Sequence, residues 1–448
     1  MFNGSIAIVE SLENSNVDRF KGQDCQYTLQ LRGNVNGEKY VETRIITSIA
    51  KAVTVFKDFE EYMALAHEEE LRFFVSNTTE AGIVFHDSDT FEDKFHVTFP
   101  AKLTQFLYER YSYFKGDPNK GLIMLPVELI DDNGIVLKKY VNDYIDLWKL
   151  EEGFKTWVND ACVFTSTLVD RIVPGFPRDE KDEICAQLGY NDDLLDTAEP
   201  FALWVIESPK DISEELPLDK ALEGKVNMDI IFTDNQKPYK QRKVRILNGA
   251  HTSFVLASYL MGHDTVKDSM DDELVRNFMN ETIQEEIIPT LTLPKEELEA
   301  FAAAVVDRFN NPFIKHALLS ISLNSVSKWR ARCMPSLLGY VDKFGKLPKN
   351  LSFSIAALIA FYKGSEIVDG ALMGDRNGEA YKIMDDPEVL AFFKENSGLG
   401  SRELVEKYLA NEEFHGQDLT KVAGLVDEVA KDLENIRTLG ARKAMESL

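Results

Sequence analysis

The sequence predicts an α/β Rossmann-like N-terminal domain followed by an all-α C-terminal domain. Short β-branched runs alternate with helical patterns in the first half, whereas helical periodicity dominates from about residue 241. The 448 residues, 44% of them hydrophobic, are enough for two or three domains. We therefore expect domains at residues 1–240 and 241–448, with a binding cleft between them.

β-branched and aromatic runs predict the strands of the first domain. The predicted strands are residues 5–9, 44–49, 71–75, 121–126, 203–207 and 226–232. Helical patterns lie between some of them, at residues 59–69 and 100–113. This alternation indicates a largely parallel sheet, in which ligands bind beyond the carboxyl ends of the strands.

Helical periodicity predicts most of the second domain. The predicted helices are residues 243–261, 271–288, 295–309, 315–334, 352–362, 387–395 and 418–443. Few strand signals remain in this half, so we expect an all-α domain.

The acidic composition limits the possible partners. A net charge of −25 and a pI near 4.8 make nucleic acid an unlikely ligand, because the surface repels polyanions. The same field opposes small anions. A pocket for a sugar acid would therefore have to gather cationic side chains locally.

The cysteines and histidines predict neither a disulfide framework nor a metal site. The four cysteines contain no Cys-x-x-Cys pair, and the seven histidines are dispersed. No apolar run of membrane-spanning length and no signal pattern occur, so we expect a cytoplasmic protein with no membrane partner. The oligomeric state is left open.

The segment from Lys243 to His251 carries the strongest candidate chemistry. Reduction of a ketone places negative charge on the carbonyl oxygen, which requires a proton donor and hydrogen-bond donors. On an α-helix, steps of about 100° place Lys243, Asn248 and His251 within an arc of about 140°. By spacing alone, these residues could equally form a solvated helix face.

A resemblance extends this interpretation. Residues 239–291, with Asn-Gly-Ala-His-Thr at 248–252 and Glu-Glu-Ile-Ile-Pro at 285–289, resemble the long-chain polyol and sugar-acid dehydrogenases of the mannitol dehydrogenase family. Further blocks resemble that family in the same order along the chain, at residues 2–5, 27–29, 76–82, 170–174 and 308–313.

The resemblance implies roles for individual residues. It makes Lys243 the acid–base catalyst, Asn248 the group that stabilises the oxyanion, and His251 the group that orients substrate hydroxyls. It places Asp170 in contact with substrate, although a cap bonded to Arg171 is an equal alternative.

The resemblance also implies ligand contacts outside the catalytic segment. Thr78, Thr79 and Gly82 would lie beneath the nicotinamide half of an NAD cofactor, or would form a plain strand-to-helix turn. Lys328 would line the substrate end of the pocket and meet a carboxylate, or would be a surface lysine.

Two departures from the polyol-oxidising members favour a uronate substrate. Leu129, beside Glu128, stands where those members have a second oxyanion asparagine, and Ser320 stands where they have an arginine. Glu128 is therefore a candidate substrate-binding residue. The implied reaction interconverts D-tagaturonate and D-altronate, with fructuronate reduction or polyol 2-oxidation as alternatives.

The N-terminal segment departs further from the family. The Gly-x-Gly-x-x-x-Arg turn that binds the cofactor pyrophosphate is absent, so the chain begins at the predicted second strand. Glu10, at the end of that strand, would bond the adenosine ribose of NAD or be a surface residue. We expect weak or absent NAD binding and an uncovered strand edge. The chain is expected to be either a shortened form of an NAD-dependent dehydrogenase or a natural variant that has lost its dinucleotide site, with a non-catalytic sugar-acid-binding protein as the alternative function.

Overall fold

A computed structural model of the chain describes residues 4–12, 15–79, 81–222 and 228–448. It divides into two compact units, Met1–Val35 with Lys39–Gln236, and Asn36–Glu38 with Lys237–Leu448. Residues 2–3 of the first family-like block, Glu80 of the predicted cofactor loop and residues 226–227 of the last predicted strand lie outside the described residues.

The first unit is built on parallel strand pairs. Its strands are β1 (Ile6–Glu10), β2 (Tyr27–Val35), β3 (Glu38–Ile46), β4 (Ile49–Thr54), β5 (Phe73–Ser76), β6 (Ile123–Pro126), β7 (Val163–Phe164), β8 (Ser166–Asp170), β9 (Asp196–Ala198), β10 (Ala202–Glu207) and β11 (Met228–Thr233). β1 pairs with β4, β2 with β9, β6 with both β5 and β7, and β10 with β11, all in parallel. β8 joins β10 in antiparallel orientation.

The first unit also contains helices, some of which cover the β5–β6–β7 sheet. The helices are α1 (Val17–Gly22), α2 (Phe59–Ala64), α3 (Phe99–Tyr113), α4 (Asn133–Leu147), α5 (Glu152–Asp160), α6 (Lys181–Leu188) and α7 (Leu218–Ala221), with 3-10 turns at Leu65–His67 and Pro118–Lys120. Met124 of β6 packs into a core cluster with α3, α4 and α5, whereas Ile123 and Leu125 pack with Ile206 and Ile212 on the other face. Burial on both faces is typical of parallel strands.

The second unit is mostly helical. Its α-helices are α8 (Lys237–Arg242), α9 (Gly249–Leu260), α10 (Val266–Asp271), α11 (Glu273–Glu281), α12 (Lys295–Phe309), α13 (Leu318–Ile321), α14 (Ser325–Arg332), α15 (Met334–Phe344), α16 (Lys349–Phe361), α17 (Pro387–Glu395), α18 (Ser401–Leu409), α19 (Glu412–His415), α20 (Leu425–Leu439) and α21 (Ala441–Glu446). Two π-helical turns, Lys243–Asn248 and Thr282–Ile287, and 3-10 turns at Ile288–Thr290 and Leu419–Lys421 complete the helical set. The largely buried α16 packs against both α9 and α20 and forms the centre of this unit.

The fold class predicted from the sequence is confirmed, with one addition. The helical unit also contains an antiparallel three-stranded sheet, β12 (Gly364–Val368), β13 (Ala371–Arg376) and β14 (Glu379–Ile383). Asp369-Gly370 and Asn377-Gly378 join these strands, and all four residues have positive φ. Such pairs are typical of two-residue hairpin turns. The prediction of an all-α domain, which relied on helical periodicity, did not use this signal.

Several predicted elements differ from the structure in their bounds, and two of them show why. The strand predicted at residues 44–49 spans the break between β3 and β4. The helix predicted at residues 315–334 is divided into α13 and α14 by Asn324, whose φ is 53°. A left-handed residue ends a helix, and asparagine adopts that conformation more readily than most residues.

Strands β1 and β5 each have an open edge in the described part of the first unit. Among the described residues, β1 pairs with β4 alone and β5 with β6 alone. Ile6 is 51% exposed and Val75 is 56% exposed. Each strand therefore presents backbone groups and an apolar side chain that the described part of the sheet does not cover.

Gly134, at the start of α4, permits close packing of that helix on β7 and β8. A Cβ atom at this position would lie 1.8 Å from the carbonyl oxygen of Thr165. We expect Gly134→Ala to lower the free energy of unfolding by about 1–3 kcal/mol, because the helix must shift.

The measurement is urea unfolding followed by circular dichroism. Gly22→Ala is the matched control, since a Cβ there would meet nothing within 4 Å. A helical Gly→Ala change in open space should leave stability unchanged or raise it by about 0.4–1 kcal/mol. Equal stability of the Gly134→Ala variant and the parent would contradict the packing argument.

Candidate active site

A π-helical turn aligns two of the predicted catalytic residues. Lys243 begins this turn and Asn248 ends it, five residues later. On the α-helix expected from the sequence, the two side chains would be about 140° apart. A π-helix forms hydrogen bonds between residues five apart, so Lys243 and Asn248 lie on nearly the same face. The α-helix α9 then places His251 three residues beyond Asn248, again as a neighbour on one face.

The imidazole of His251 is held by rings and surrounded by cationic groups. It stacks on Phe309 with ring centroids 3.9 Å apart and meets the His316 ring edge-on at 5.6 Å. Its Nε2 atom is buried and has no hydrogen-bond partner among the described residues. Burial, followed by the charges of His316, Arg308 and Arg332, holds the pKa of His251 well below its usual value. The ring is therefore neutral at physiological pH.

Helix α14 brings further cations to the same region. Lys328 Nζ donates to the carbonyl of Ile321 at 3.0 Å, and one helical turn later Arg332 Nη1 lies 3.4 Å from Thr252 Oγ1. Burial, and then the charge of Arg332, lower the pKa of Lys328. The charge of Lys328 in turn contributes to the lowered pKa of His316, after burial. The structure thus places Lys328 near His316, the ring that meets His251 edge-on.

Glycine at position 249 permits α14 to approach the catalytic segment. A Cβ atom at Gly249 would lie 3.1 Å from the carbonyl oxygen of Arg332, and Cys333 Sγ donates to the Gly249 carbonyl at 3.5 Å. Thr252 Oγ1 donates to the carbonyl of Asn248 at 2.9 Å. These contacts fix the end of α14 against the residues that follow the π-helical turn.

In the first unit, Glu128 holds the predicted cofactor loop. The carboxylate is 2% exposed and accepts hydrogen bonds from Ser76 Oγ at 3.0 Å, Thr78 N at 3.0 Å and Thr78 Oγ1 at 2.9 Å. Both of its oxygens are therefore engaged by the segment that follows β5. Glu128 couples the ends of β5 and β6, a contact that the sequence interpretation does not anticipate.

Asn133 is a structural residue of this region that sequence reasoning missed. Its side-chain amide donates to the carbonyls of Pro126, Glu128 and Thr167, and its Oδ1 accepts from the backbone N–H groups of Gly134 and Thr167. The residue is fully buried. The Asn-Gly pair at residues 133–134 was the available signal.

The remaining predicted residues of the first unit lie at or just after strand ends. Asp170 is buried at the last position of β8. Glu10 ends β1, and its Oε2 accepts from Asn16 N at 2.7 Å. Thr79 has a φ of 65°, and a Cβ atom at Gly82 would lie 2.0 Å from Thr78 Oγ1. Glycine at position 82 therefore lets this loop fold back tightly on Thr78.

The described ranges contain neither a metal-binding cluster nor a membrane-spanning helix. Residues 4–12, 15–79, 81–222 and 228–448 contain no group of three or more His, Cys, Asp or Glu side chains arranged to hold a metal ion. No helix within them is long and apolar enough to cross a membrane.

Comparison with known families decides the class of protein. Residues 4–220 match the mannitol dehydrogenase Rossmann domain, and residues 235–437 match the mannitol dehydrogenase C-terminal domain. The chain belongs to the mannitol dehydrogenase family. As a member of that family it is a polyol or sugar-acid dehydrogenase, an oxidoreductase that acts on CH–OH groups.

Individual relatives agree with this family. Altronate oxidoreductase of Escherichia coli O7:K1 is 45% identical over 453 residues, which cover 100% of this chain and 91% of that protein. The enzyme of the same name from Enterobacter sp. (strain 638) is 44% identical with the same coverage.

Two solved structures share the fold of this family member. Pseudomonas fluorescens mannitol 2-dehydrogenase, in ternary complex with NAD and D-mannitol, has a TM-score of 0.66 at 21% identity, over 99% of this chain and 87% of that one. A substrate-free D-sorbitol dehydrogenase has a TM-score of 0.77 at 19% identity, over 98% and 88% of the two chains.

The Glu128 contacts generate a prediction about the loop after β5. Glu128→Gln replaces an acceptor oxygen by an NH₂ group that cannot accept from Thr78 N, so the free energy of unfolding should fall by about 1–3 kcal/mol. Hydrogen exchange at the Thr78 amide should accelerate in parallel. Exposed Glu92→Gln is the control, and unchanged exchange in Glu128→Gln would show that the carboxylate does not hold the loop.

The environment of His251 generates a prediction about pH. Its folded pKa lies below the unfolded value of about 6.5, so protonation favours the unfolded state. The stability contributed by the neutral ring is complete above about pH 6.5 and is lost as the pH falls towards the folded pKa. Titration of ¹³C-labelled imidazoles by NMR, assigned with His251→Gln, should show His251 still neutral at pH 6; a midpoint near 6.5 would contradict this.

Proposed function

We propose that the protein is an NAD-dependent oxidoreductase that interconverts D-tagaturonate and D-altronate in hexuronate catabolism. The observation that carries the proposal is the alignment of Lys243 with Asn248 by the π-helical turn, beside the cationic groups of α14. Identity of 45% to altronate oxidoreductases supports the choice of substrate.

The reaction adds a hydride and a proton across the keto group. A bound reduced nicotinamide would supply the hydride for the carbonyl carbon. The Lys243 ammonium gives a proton to the carbonyl oxygen, so that the C=O group becomes CH–OH, and the lysine takes the proton back in the reverse direction. The Asn248 side-chain amide donates a hydrogen bond to the same oxygen as negative charge develops there.

The remaining predicted residues orient the sugar acid. A neutral His251 can accept or donate one hydrogen bond at a substrate hydroxyl without adding charge beside Lys243. Lys328 supplies positive charge for the carboxylate of the uronate. We assign Asp170, buried at the end of β8, to a further contact with substrate hydroxyls.

The ends of β1 and β5 fit a nicotinamide dinucleotide. Glu10 stands at the carboxyl end of a parallel strand, where an acidic side chain bonds the ribose hydroxyls and disfavours a 2′-phosphate; this supports NAD over its phosphorylated form. Thr78, Thr79 and Gly82 follow β5, and their loop is held in place by Glu128. We assign these three residues to the nicotinamide half and Glu128 to holding them.

Lys243→Ala tests the central role. Turnover of tagaturonate with NADH should fall by at least about 100-fold, because the proton donor is removed. Exposed Lys295→Ala should keep the parent rate. The assay follows NADH oxidation with tagaturonate, fructuronate and fructose in parallel, together with NADPH as the alternative donor.

The outcomes separate the candidate functions. A higher kcat/KM for fructuronate or fructose than for tagaturonate would reassign the substrate within the same chemistry. Equal turnover in Lys243→Ala and the parent would remove the lysine from the mechanism. Binding of altronate without turnover of any of the three substrates would favour a sugar-acid-binding protein over an enzyme.

A further inference from the structure

Helix α14 presents two cationic side chains one turn apart. Lys328 and Arg332 are separated by four residues, so their side chains project from the same side of the helix. Both are partly buried. The helix is fixed at its start, where Val326 N donates to Asp385 Oδ2 at 3.3 Å, and at its end by the contacts between Cys333 and Gly249. The two cations are therefore carried on a positioned element.

The guanidinium of Arg332 is not matched by an anion. Among the residues that the structure describes, it makes one hydrogen bond, to Thr252 Oγ1 at 3.4 Å, and no ion pair. Burial lowers its pKa, and no carboxylate acts on it to oppose that change. A guanidinium has five N–H donors in a planar fork, and a partly buried charge without a counter-ion is costly. Binding of an external anion would therefore lower the free energy of the site.

The charged groups around Arg332 also favour the binding of an anion. His316, Arg308 and Arg332 each lower the pKa of His251, and Lys328 lowers the pKa of His316. Nearby positive charge has this effect on a histidine. Asp385 is the carboxylate that acts on Lys328, but its Oδ2 already accepts hydrogen bonds from Tyr362 Oη and Val326 N. In a chain of net charge −25, this cluster is locally electropositive.

Arg332 is also connected to the catalytic segment. Its Nη1 contacts Thr252 Oγ1, which in turn donates to the carbonyl of Asn248. The guanidinium is thus joined, through Thr252, to the backbone of the residue whose side-chain amide we assign to the substrate oxygen.

We propose that Arg332, together with Lys328, binds the substrate carboxylate and sets the preference of the site for sugar acids over neutral polyols. The planar guanidinium accepts a carboxylate in bidentate geometry, which a lysine alone cannot provide. The proposal rests on the proposed function for the identity of the ligand, and it adds the residue that selects for the acid group.

Substrate comparison tests the selectivity. In Arg332→Gln, kcat/KM for tagaturonate should fall by roughly 10–100-fold, mainly through a higher KM, because a charge-assisted hydrogen bond is lost. Arg332→Lys should recover part of that loss. Activity with fructose, which has no carboxylate, and the Kd for NADH should both stay within about threefold of the parent. Exposed Arg330→Gln, on the same helix, is the matched control and should leave kcat/KM unchanged for both substrates.

Equilibrium binding separates this inference from the proposed function. Calorimetric titration with sodium altronate should give a Kd at least tenfold weaker in Arg332→Gln than in the parent, and this comparison needs no turnover. Such a loss would support the carboxylate site even if the protein proved inactive. Unchanged altronate affinity and unchanged tagaturonate kinetics would overturn the inference and leave the dehydrogenase assignment standing. An equal loss with fructose and tagaturonate, or a change in the Kd for NADH alone, would also overturn it.

Discussion

The π-helical geometry of Lys243–Asn248 is the constraint on which the candidate chemistry depends. It converts a spacing of five residues, which would divide two side chains between different faces of an α-helix, into one shared face. A second π-helical turn, Thr282–Ile287, contacts the first. Two uncommon turns in contact suggest that each is stabilised by tertiary packing, because neither has the hydrogen-bond geometry that a free helix prefers.

Local charge in the second unit opposes the charge of the whole chain. The sequence has 75 acidic residues against 50 basic ones, yet the groups acting on His251 are His316, Arg308 and Arg332. Such an arrangement favours the neutral form of the imidazole and attracts an anion at the same time. The overall acidity therefore does not argue against an acidic substrate, since ionic strength screens the distant surface charges more than the near, partly buried ones.

The sequence predicted the fold more fully than the site. Periodicity found α3 and α12 almost to the residue, because both have long, regular apolar patterns. It could not find the π-helical turn at residues 243–248, since the same residues satisfy an α-helical pattern. The resemblance supplied Lys243, Asn248, His251 and Lys328 as a set, but not the carboxylate bridge from Glu128 to Thr78, because a contact 50 residues apart leaves no local pattern. Arg332 was missed because a lone arginine on a helix is ordinary; only its lack of a carboxylate partner within the described structure distinguishes it.

The open edges of β1 and β5 bear on how the protein behaves at high concentration. An unpaired parallel strand that exposes Ile6 or Val75 is a template onto which a strand from another molecule can add. Neither strand carries a proline or a lysine that would discourage such pairing, although β1 has a register irregularity between Ile6 and Ala7. These two edges, both in the first unit, are therefore where we expect molecules of the purified protein to associate.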